Sequence, residues 1–169
     1  IYHMLYNAGV LPDPYYSTNS KKYHWVDEKV WYYKKTFDLN CEDFSGNAFL
    51  CFDGVAYYSH IWINGVSLGS HEGMFGGPVV DIAEHLNLKG KNELVVEVKA
   101  FNLGIKDSFD MWNKSGENTQ IVPWNVTRDT YTSNGDFMVA GIWNNVRLEL
   151  VNKLHLSRPH LYTEKIEDN

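Results

Sequence analysis

The sequence predicts an all-β fold, an antiparallel sandwich of two sheets. Short runs in which apolar and polar residues alternate recur along the chain, and turn residues separate them. A helical period is almost absent, so the chain lacks the helices that would connect parallel strands. An Asn64-Gly65 pair lies between two alternating runs and is typical of a type I′ hairpin turn. These three features together favour a β-sandwich.

The predicted strands begin after an irregular, proline-containing stretch, LPDPYYSTNS. Two of them, 30–39 and 46–55, precede the hairpin, whose arms are 56–63 and 66–68. A short strand that runs into one helical turn follows, and three further strands complete the set: 77–86, 92–101, 141–151 and 154–164.

Regular patterning stops between residues 102 and 135. This stretch is rich in Asn, Asp, Ser, Thr and Gly, and Trp112 and Trp124 are embedded in it. A segment this long without periodicity is usually functional or mobile. We therefore expect any binding residues of the sandwich to lie here, since loops at the ends of a sandwich present such groups.

Composition narrows the class of partner. A chain of 169 residues with 44% hydrophobic content is typical of one globular domain, here 1–169. The net charge of -6 and the lack of any Lys/Arg-rich run argue against nucleic acid, whose binding requires clustered cations. No apolar run approaches the roughly 20 residues that cross a bilayer, so no membrane partner is predicted.

The metal-binding and redox residues are few. Seven His are scattered without ligand spacing, so no metal is predicted, and no motif indicates a cofactor. Cys41 lies near the end of one predicted strand and Cys51 inside the next. They face each other across a hairpin in one interpretation and are two small buried apolar residues in the other.

Five segments resemble a known family. In order they are LPDPYYSTN, WVDEKVWYYKKTF, FDGVAYYSHIWINGVSLGSHEGMF, NELVVEV and GIWNNVRLEL. Together they resemble the N-terminal sugar-binding domain of glycoside hydrolase family 2, which includes β-galactosidases, β-glucuronidases, β-mannosidases and exo-β-glucosaminidases. The resemblance implies a galactose-binding-like jelly roll that lies beside a catalytic barrel absent from this sequence.

The opening of the chain looks most like the β-mannosidase and glucosaminidase branch, but one motif of that branch is missing. Mannosidase-type members carry a Trp-Asp-Trp-Gly-Pro stretch shortly before the GIW strand. Here the same region reads IVPWNVTRDTYTSNGDFMVAGIW, so its Trp, Asn, Arg and Asp residues are only loose counterparts. The resemblance therefore does not imply mannoside specificity.

Two stretches of the long loop have the chemistry of sugar recognition. Sugars are held by aromatic faces and by planar amide or carboxylate groups that bond pairs of hydroxyls. The stretches DMWN and PWN combine such groups, and in the full enzyme they either contact carbohydrate or pack on the barrel. The candidate substrate-binding residues are Asp110, Trp112, Asn113, Trp124, Asn125, Arg128 and Asp129.

The segment GSHEGMF, directly after the hairpin, is the second candidate region. In the family resemblance it turns the chain toward the face that meets the next domain. His71, Glu72 and Phe75 are candidates for either interdomain packing or ligand contact. Three other aromatic residues, His60, Trp62 and Trp143, are predicted to pack in the core beside Ile61.

The sequence predicts no catalysis by this chain alone. A retaining glycosidase needs two carboxyl groups about 5 to 5.5 Å apart. An Asn-Glu pair of the kind that holds the family's acid/base occurs at Asn92-Glu93, but its context, LKGKNELVVEV, places Glu93 at the start of an antiparallel strand. We interpret Glu93 as a solvated charge.

Three hypotheses about function follow. The first is a non-catalytic, carbohydrate-binding domain of a family 2 hydrolase that acts on β-linked sugars and shapes that enzyme's pocket. The second is a free-standing carbohydrate-binding module, and the third is a purely structural sandwich. The coding sequence downstream of Asn169 separates the first two, because only the first requires a catalytic barrel in frame.

Overall fold

The computed structural model is an antiparallel β-sandwich, as the sequence predicted. It contains a four-stranded sheet, a three-stranded sheet and a two-stranded sheet. The structure describes residues 1–41, 43–100, 140–154, 156 and 160–165, without the side chains of His24 and Asp27.

The described residues form nine strands and three short helical segments. The strands are β1 (Val30–Asn40), β2 (Asn47–Phe52), β3 (Val55–Ala56), β4 (Tyr58–Ile63), β5 (Val66–Glu72), β6 (Val79–Asp81), β7 (Lys89–Lys99), β8 (Gly141–Ile142) and β9 (Val146–Val151). The helical segments are α1 (Tyr2–Asn7) and two 3₁₀ helices, Asn19–Glu28 and Ala83–His85.

Strand order separates the two main sheets. The four-stranded sheet has the order β1-β7-β4-β5, and the three-stranded sheet has the order β6-β2-β9. Strands β3 and β8 form the remaining pair. All these pairings are antiparallel. Strands β1 and β2, although neighbours in sequence, lie in different sheets.

The hydrophobic core lies between the two main sheets. Each sheet turns alternate residues inward, because side chains of a strand point to opposite faces in turn. The four-stranded sheet supplies Ile61, Ile63, Leu94, Val96 and Val98, all 9% exposed or less. The facing sheet supplies Ala48, Leu50 and Phe52, and Val55 and Ile82 join the same cluster.

The hairpin between β4 and β5 turns at Asn64-Gly65, as predicted. Asn64 has φ of 49° and Gly65 has φ of 81°, so both central residues have the positive φ of a type I′ turn. No atom lies within 4 Å of the position that a Cβ on Gly65 would occupy. The glycine is therefore required for its backbone conformation and not for space.

Gly65→Val is expected to lower the free energy of unfolding by roughly 1 to 3 kcal/mol, because a β-branched residue is strained at this φ. Chemical denaturation of both proteins measures the difference. Gly65→Asn is the matched control, since asparagine tolerates the left-handed region, and it should cost clearly less. Equal midpoints for wild type and Gly65→Val would contradict the turn assignment.

The beginning of the chain is more helical than the sequence suggested. Residues Tyr2–Asn7 form a short α-helix, and part of the stretch predicted as irregular lies in the 3₁₀ helix Asn19–Glu28. Tyr23 and Val26 are fully buried there, and the Tyr23 hydroxyl donates to the Pro12 carbonyl at 2.6 Å. This segment is therefore packed against the sandwich through contacts that a local pattern does not reveal.

Three predicted strands differ from the observed ones. The run 46–55 is divided into β2 and β3, and the run 141–151 is interrupted between Ile142 and Val146. The prediction of a strand over 154–164 is wrong, because the described residues of that run contain no strand. The sequence of this run also contains Pro159, and a proline lacks the backbone N–H that a strand ladder needs.

The two cysteines are not joined by a disulfide in the structure. Cys51 is buried in β2, and Cys41 is half-buried just after β1. The proposed hairpin between these strands does not form, because β1 pairs with β7 and β2 pairs with β6 and β9. The fold therefore lacks the hairpin across which the two cysteines would have faced each other.

Candidate functional site

One end of the four-stranded sheet gathers the segments that the sequence singled out. There, one row of paired residues crosses all four strands, from Val30 through Lys99 and Tyr58 to Glu72. We call this end the loop end. The loop end is one end of all four strands, because β1 and β4 begin in this row and β7 and β5 end in it.

Both flanks of the long loop meet at the loop end. Ala100 follows the last residue of β7, and Ala140 precedes Gly141, which pairs with Ala56. The Tyr57 amide donates to the Lys99 carbonyl at 3.1 Å and thereby joins the β3–β4 connection to the end of β7. Residues 101–139 thus begin and end at this part of the sandwich.

The seven predicted substrate-binding residues lie outside the described residues. They remain predictions, and what the structure describes of this region is its two flanks. The residues concerned are Asp110, Trp112, Asn113, Trp124, Asn125, Arg128 and Asp129.

His71, Glu72 and Phe75 are described, and all three lie at or just beyond the loop end. His71 pairs with the buried Ser59 across the hairpin, whereas Glu72 pairs with Tyr58. Consecutive residues of a strand point to opposite faces, so the His71 and Glu72 side chains diverge. Phe75, three residues after β5, is 70% exposed. The three residues thus lie in one neighbourhood but do not form one convergent trio, and their role in a site stays a prediction.

The His71 imidazole is partly withdrawn from solvent. Its Nε2 atom is buried without a hydrogen-bond partner, as is the Ser59 hydroxyl beside it. Gly73 follows closely, and a Cβ on it would lie 3.4 Å from His71 Nε2. Burial lowers the pKa of His71 below its usual value of 6.5, although the charge of Glu72 acts in the opposite direction.

The stability of the fold is expected to fall as the pH drops below 6.5 toward the lowered pKa of His71, because the unfolded chain then binds a proton that the folded chain resists. Urea denaturation between about pH 7.5 and 5.5 measures this slope. His71→Gln cannot titrate and should flatten it. If the free energy of unfolding changed equally with pH in wild type and in His71→Gln, the lowered pKa of His71 would be contradicted.

Phe75 forms an exposed aromatic pair with Trp143. The two rings are in edge-to-face geometry, with centroids 6.5 Å apart and planes at 83°. Trp143 is 47% exposed, so its predicted place in the core is wrong. Its indole N–H donates to the Met74 carbonyl at 3.0 Å, which fixes the ring orientation.

Gly54 provides the surface against which the Trp143 ring lies. A Cβ on Gly54 would come within 2.4 Å of the ring, so only glycine fits beneath it. The Trp143 and Asn144 amides both approach the Gly54 carbonyl, at 3.2 and 3.4 Å. The glycines flanking Met74 and Phe75 were visible in the sequence, but the contact between Gly54 and Trp143 joins segments about 90 residues apart.

The outer face of the four-stranded sheet is a second polar surface. His60 and Trp62, predicted as core residues, lie on this face and are half-buried. Their rings are stacked, with centroids 4.2 Å apart. The alternation of β4 was correctly recognised, but Ser59, Ile61 and Ile63 occupy the inner face instead.

Hydrogen bonds hold the His60 ring in place. Ser67 and Ser70 on the neighbouring strand contact its Nε2 and Nδ1 atoms at 2.7 and 2.8 Å. Both serines reach it because a bulge in the β4–β5 ladder shifts the register between Ile61 and Trp62.

Glu97 lies next to His60 in the same row. Its carboxylate accepts from the Tyr32 hydroxyl at 2.5 Å and pairs with the Lys99 ammonium at 2.6 Å. Partial burial raises the pKa of Glu97, but the donors Lys99 and Tyr32 outweigh it and leave the pKa lowered. Glu97 is therefore an ionised acceptor at neutral pH.

A groove of about 400 Å³ opens beside these residues on the outer face, near the loop end. Its outward-facing lining among the described residues comprises two carboxylates, one ammonium, one imidazole, one hydroxyl and one phenol, whereas Ser59 and His71 border it with side chains that belong to the inner face. The lining residues are Tyr58, Ser59, His60, Ser70, His71, Glu72, Glu97 and Lys99.

The Asn92-Glu93 pair has a structural role. Asn92 is fully buried and bonds the turn before β7, and Glu93 Oε2 pairs with Lys34 Nζ at 2.6 Å. Glu93 lies inside β7 and not at its first residue, because β7 begins at Lys89. Its carboxylate is thus paired with an ammonium.

Two kinds of feature, a metal site and a membrane-spanning helix, are absent from the described residues. No group of three or more His, Cys, Asp and Glu side chains there is arranged to hold a metal ion. No helix in the part of the chain that the structure describes is long and apolar enough to span a bilayer.

The sequence pattern of the glycosyl hydrolase 2 galactose-binding domain-like family matches residues 1–144. The chain belongs to this family. It is 29% identical to β-mannosidase B of Aspergillus clavatus, over 83% of this chain and 17% of that protein. It is 25% identical to β-mannosidase of Mus musculus over 92% of this chain and 19% of that protein. A putative β-glucuronidase of Formosa agariphila is 29% identical over 82% of this chain and 14% of that protein.

A solved structure shares the fold of this family member. The crystal structure of β-D-mannosidase from Dictyoglomus thermophilum matches 88% of this chain and 19% of that chain, with a TM-score of 0.62 at 22% identity. The predicted family and the galactose-binding-like, all-β fold are thereby confirmed. The chain spans only 14% to 19% of the length of the curated relatives named above.

Proposed function

We propose that this chain is the N-terminal, non-catalytic domain of a family 2 glycoside hydrolase and that its loop end helps to form the pocket for a β-linked glycoside. One observation supports this most. The two flanks of residues 101–139 and the segment from His71 to Phe75 emerge at the same end of the sandwich. The residues with sugar-binding chemistry are thus attached to one surface.

The chemistry of this surface suits a sugar. Trp112 and Trp124 offer apolar ring faces, and their Asp and Asn neighbours offer groups that bond paired hydroxyls. Phe75 and Trp143 add two exposed rings near the same flanks. Exposed aromatic residues with polar neighbours are typical of binding surfaces or of contacts with another domain.

The reaction itself is assigned to a different part of the polypeptide. Retaining hydrolysis needs a proton donor and a nucleophile on one rigid floor, and Glu93, the family-like candidate in this chain, is paired with Lys34 instead. The curated relatives are named as β-mannosidases and a β-glucuronidase, and this chain matches less than a fifth of their length. We assign the catalytic carboxylates to the remaining part of such a protein.

The test compares the 169-residue chain with the intact polypeptide that contains it. Both are incubated with the p-nitrophenyl β-mannoside, β-galactoside, β-glucosaminide and β-glucuronide. We expect turnover of at least one substrate by the intact polypeptide and none by the chain alone. Turnover by the chain that disappears in Glu93→Gln or Glu72→Gln would refute the non-catalytic role. Inactivity of the intact polypeptide on all β-glycosides would refute the hydrolase assignment and favour a binding module.

A further inference from the structure

We propose that the groove on the outer face of the four-stranded sheet binds one sugar unit of a neutral, β-linked polysaccharide. The class of ligand rests on the proposed function, but the site does not. It consists, among the described residues, of the sheet residues around His60, Glu97 and Lys99.

The size of the groove fits a single sugar ring. Its volume is about 400 Å³, and small-molecule sites in proteins span roughly 300 to 1,000 Å³. The groove is open along the sheet surface beside β5, which is an edge strand of the four-stranded sheet. A long polysaccharide could therefore pass over it without having to end there.

The polar groups in the groove match the hydroxyls of a sugar. Each hydroxyl both donates and accepts, and the lining offers carboxylate acceptors in Glu72 and Glu97 and an ammonium donor in Lys99. Tyr58 adds an aromatic side chain of the kind that packs against the C–H face of a pyranose. Tyr58 pairs with both Glu72 and Lys99, and Glu97 lies two residues before Lys99 on β7, so the four groups are close neighbours on one face.

These groups are held in position before any ligand arrives. The Glu97 carboxylate is fixed by Tyr32 and Lys99, and the His60 ring is fixed by two serines. Groups that are already ordered lose less conformational entropy on binding, which favours even a small ligand. The solvated face of an ordinary sheet does not require such fixed contacts.

The charge of the lining decides which sugar class fits. Two carboxylates face a single ammonium, so the groove has an excess of negative charge at neutral pH when its imidazoles are neutral. A uronate or a phosphate group would be repelled, whereas a neutral hexose would not. We therefore assign the groove to uncharged glycan units such as mannosyl or glucosyl residues.

Affinity electrophoresis of the intact polypeptide tests the site. Wild type is run in native gels with and without soluble glucomannan, a neutral β-linked polysaccharide, and the retardation gives an apparent dissociation constant. Ser70→Trp places an indole in the groove, and we expect it to weaken retardation about tenfold or more, the loss of one well-made contact. Glu72→Gln keeps the volume, removes one charge, and should weaken retardation less.

Thr36→Trp is the matched control. It adds the same indole to the same outer face, but on β1 at the opposite edge of the sheet, and should be retarded like wild type. Thermal unfolding shows whether each variant is folded. If Ser70→Trp does not fold, Glu72→Gln alone tests the site. Absence of retardation for wild type, or equal retardation for wild type and both groove variants, would overturn the proposal. Hydrolysis of aryl glycosides by wild type reports on the proposed function separately.

Discussion

Asn92→Ala is expected to lower the free energy of unfolding by about 3 to 5 kcal/mol, the largest stability effect that we expect from one side chain of the described residues. The Asn92 side chain is fully buried, and it uses its whole hydrogen-bonding capacity. Its Oδ1 atom accepts from Asn64 and from the Asn87 amide, both at 2.8 Å. Its Nδ2 atom donates to the carbonyls of Asn87 and Gly90 at 2.8 and 3.2 Å.

The expected loss is large because the substitution leaves several buried groups without partners. Each buried polar group left unsatisfied costs about 1 to 3 kcal/mol, and one methyl group replaces none of the four bonds. The loss also reaches the hairpin, since Asn64 bonds the Glu93 amide and the His85 carbonyl as well as Asn92. The amide network thus joins the β4–β5 turn, the 3₁₀ helix Ala83–His85 and the start of β7.

Two further variants serve for comparison when the free energy of unfolding is measured by chemical denaturation. Asn92→Asp keeps the shape but sets an oxygen against two carbonyl oxygens, and should also destabilise strongly. Asn40→Ala removes an exposed amide from the end of β1 and should change the free energy by less than about 0.5 kcal/mol. A loss below about 1 kcal/mol for Asn92→Ala would mean that the network is dispensable.

The fold was predictable wherever a local pattern determines it. The alternation of Ile61 and Ile63 with polar or aromatic neighbours, and the Asn64-Gly65 turn, specified the hairpin because strand period and positive φ are local properties. The Asn92 network was not predictable in this way. It depends on residues up to 29 positions apart, and each asparagine alone has the sequence pattern of an ordinary turn residue.

The candidate site stays a prediction, and the structure describes only its surroundings. The segment with His71, Glu72 and Phe75 does lie at the end of the sandwich from which the long loop emerges. The placement of His60, Trp62 and Trp143 in the core failed for a physical reason. Alternation divides a strand into two faces but does not say which face is inward when both contain apolar residues. Here the aliphatic face is buried, and the aromatic face is outside.

Trp112→Ala or Trp124→Ala in the intact polypeptide is expected to lower kcat/KM for an aryl β-glycoside by about 1 to 3 kcal/mol of transition-state binding. The reason is that the two described flanks of residues 101–139, Ala100 and Ala140, both lie at the loop end, which we propose as part of the pocket. A tryptophan next to Asp or Asn stacks on a sugar ring while its neighbours bond the hydroxyls. Loss of the ring removes the stacking and loosens the orientation of the substrate.

Steady-state kinetics of the purified variants, with thermal unfolding as the check on folding, measure this effect. Tyr16→Ala is the matched control, because it removes an aromatic side chain that is 72% exposed and belongs to neither the loop nor the loop end, and kcat/KM should stay unchanged. A rise in KM at constant kcat would show that the ring binds substrate and transition state equally well, whereas a fall in kcat would show that it orients the reacting sugar. Unchanged kinetics in both tryptophan variants would mean that these rings only pack against the neighbouring domain, and the contribution of this domain to the enzyme would then be structural.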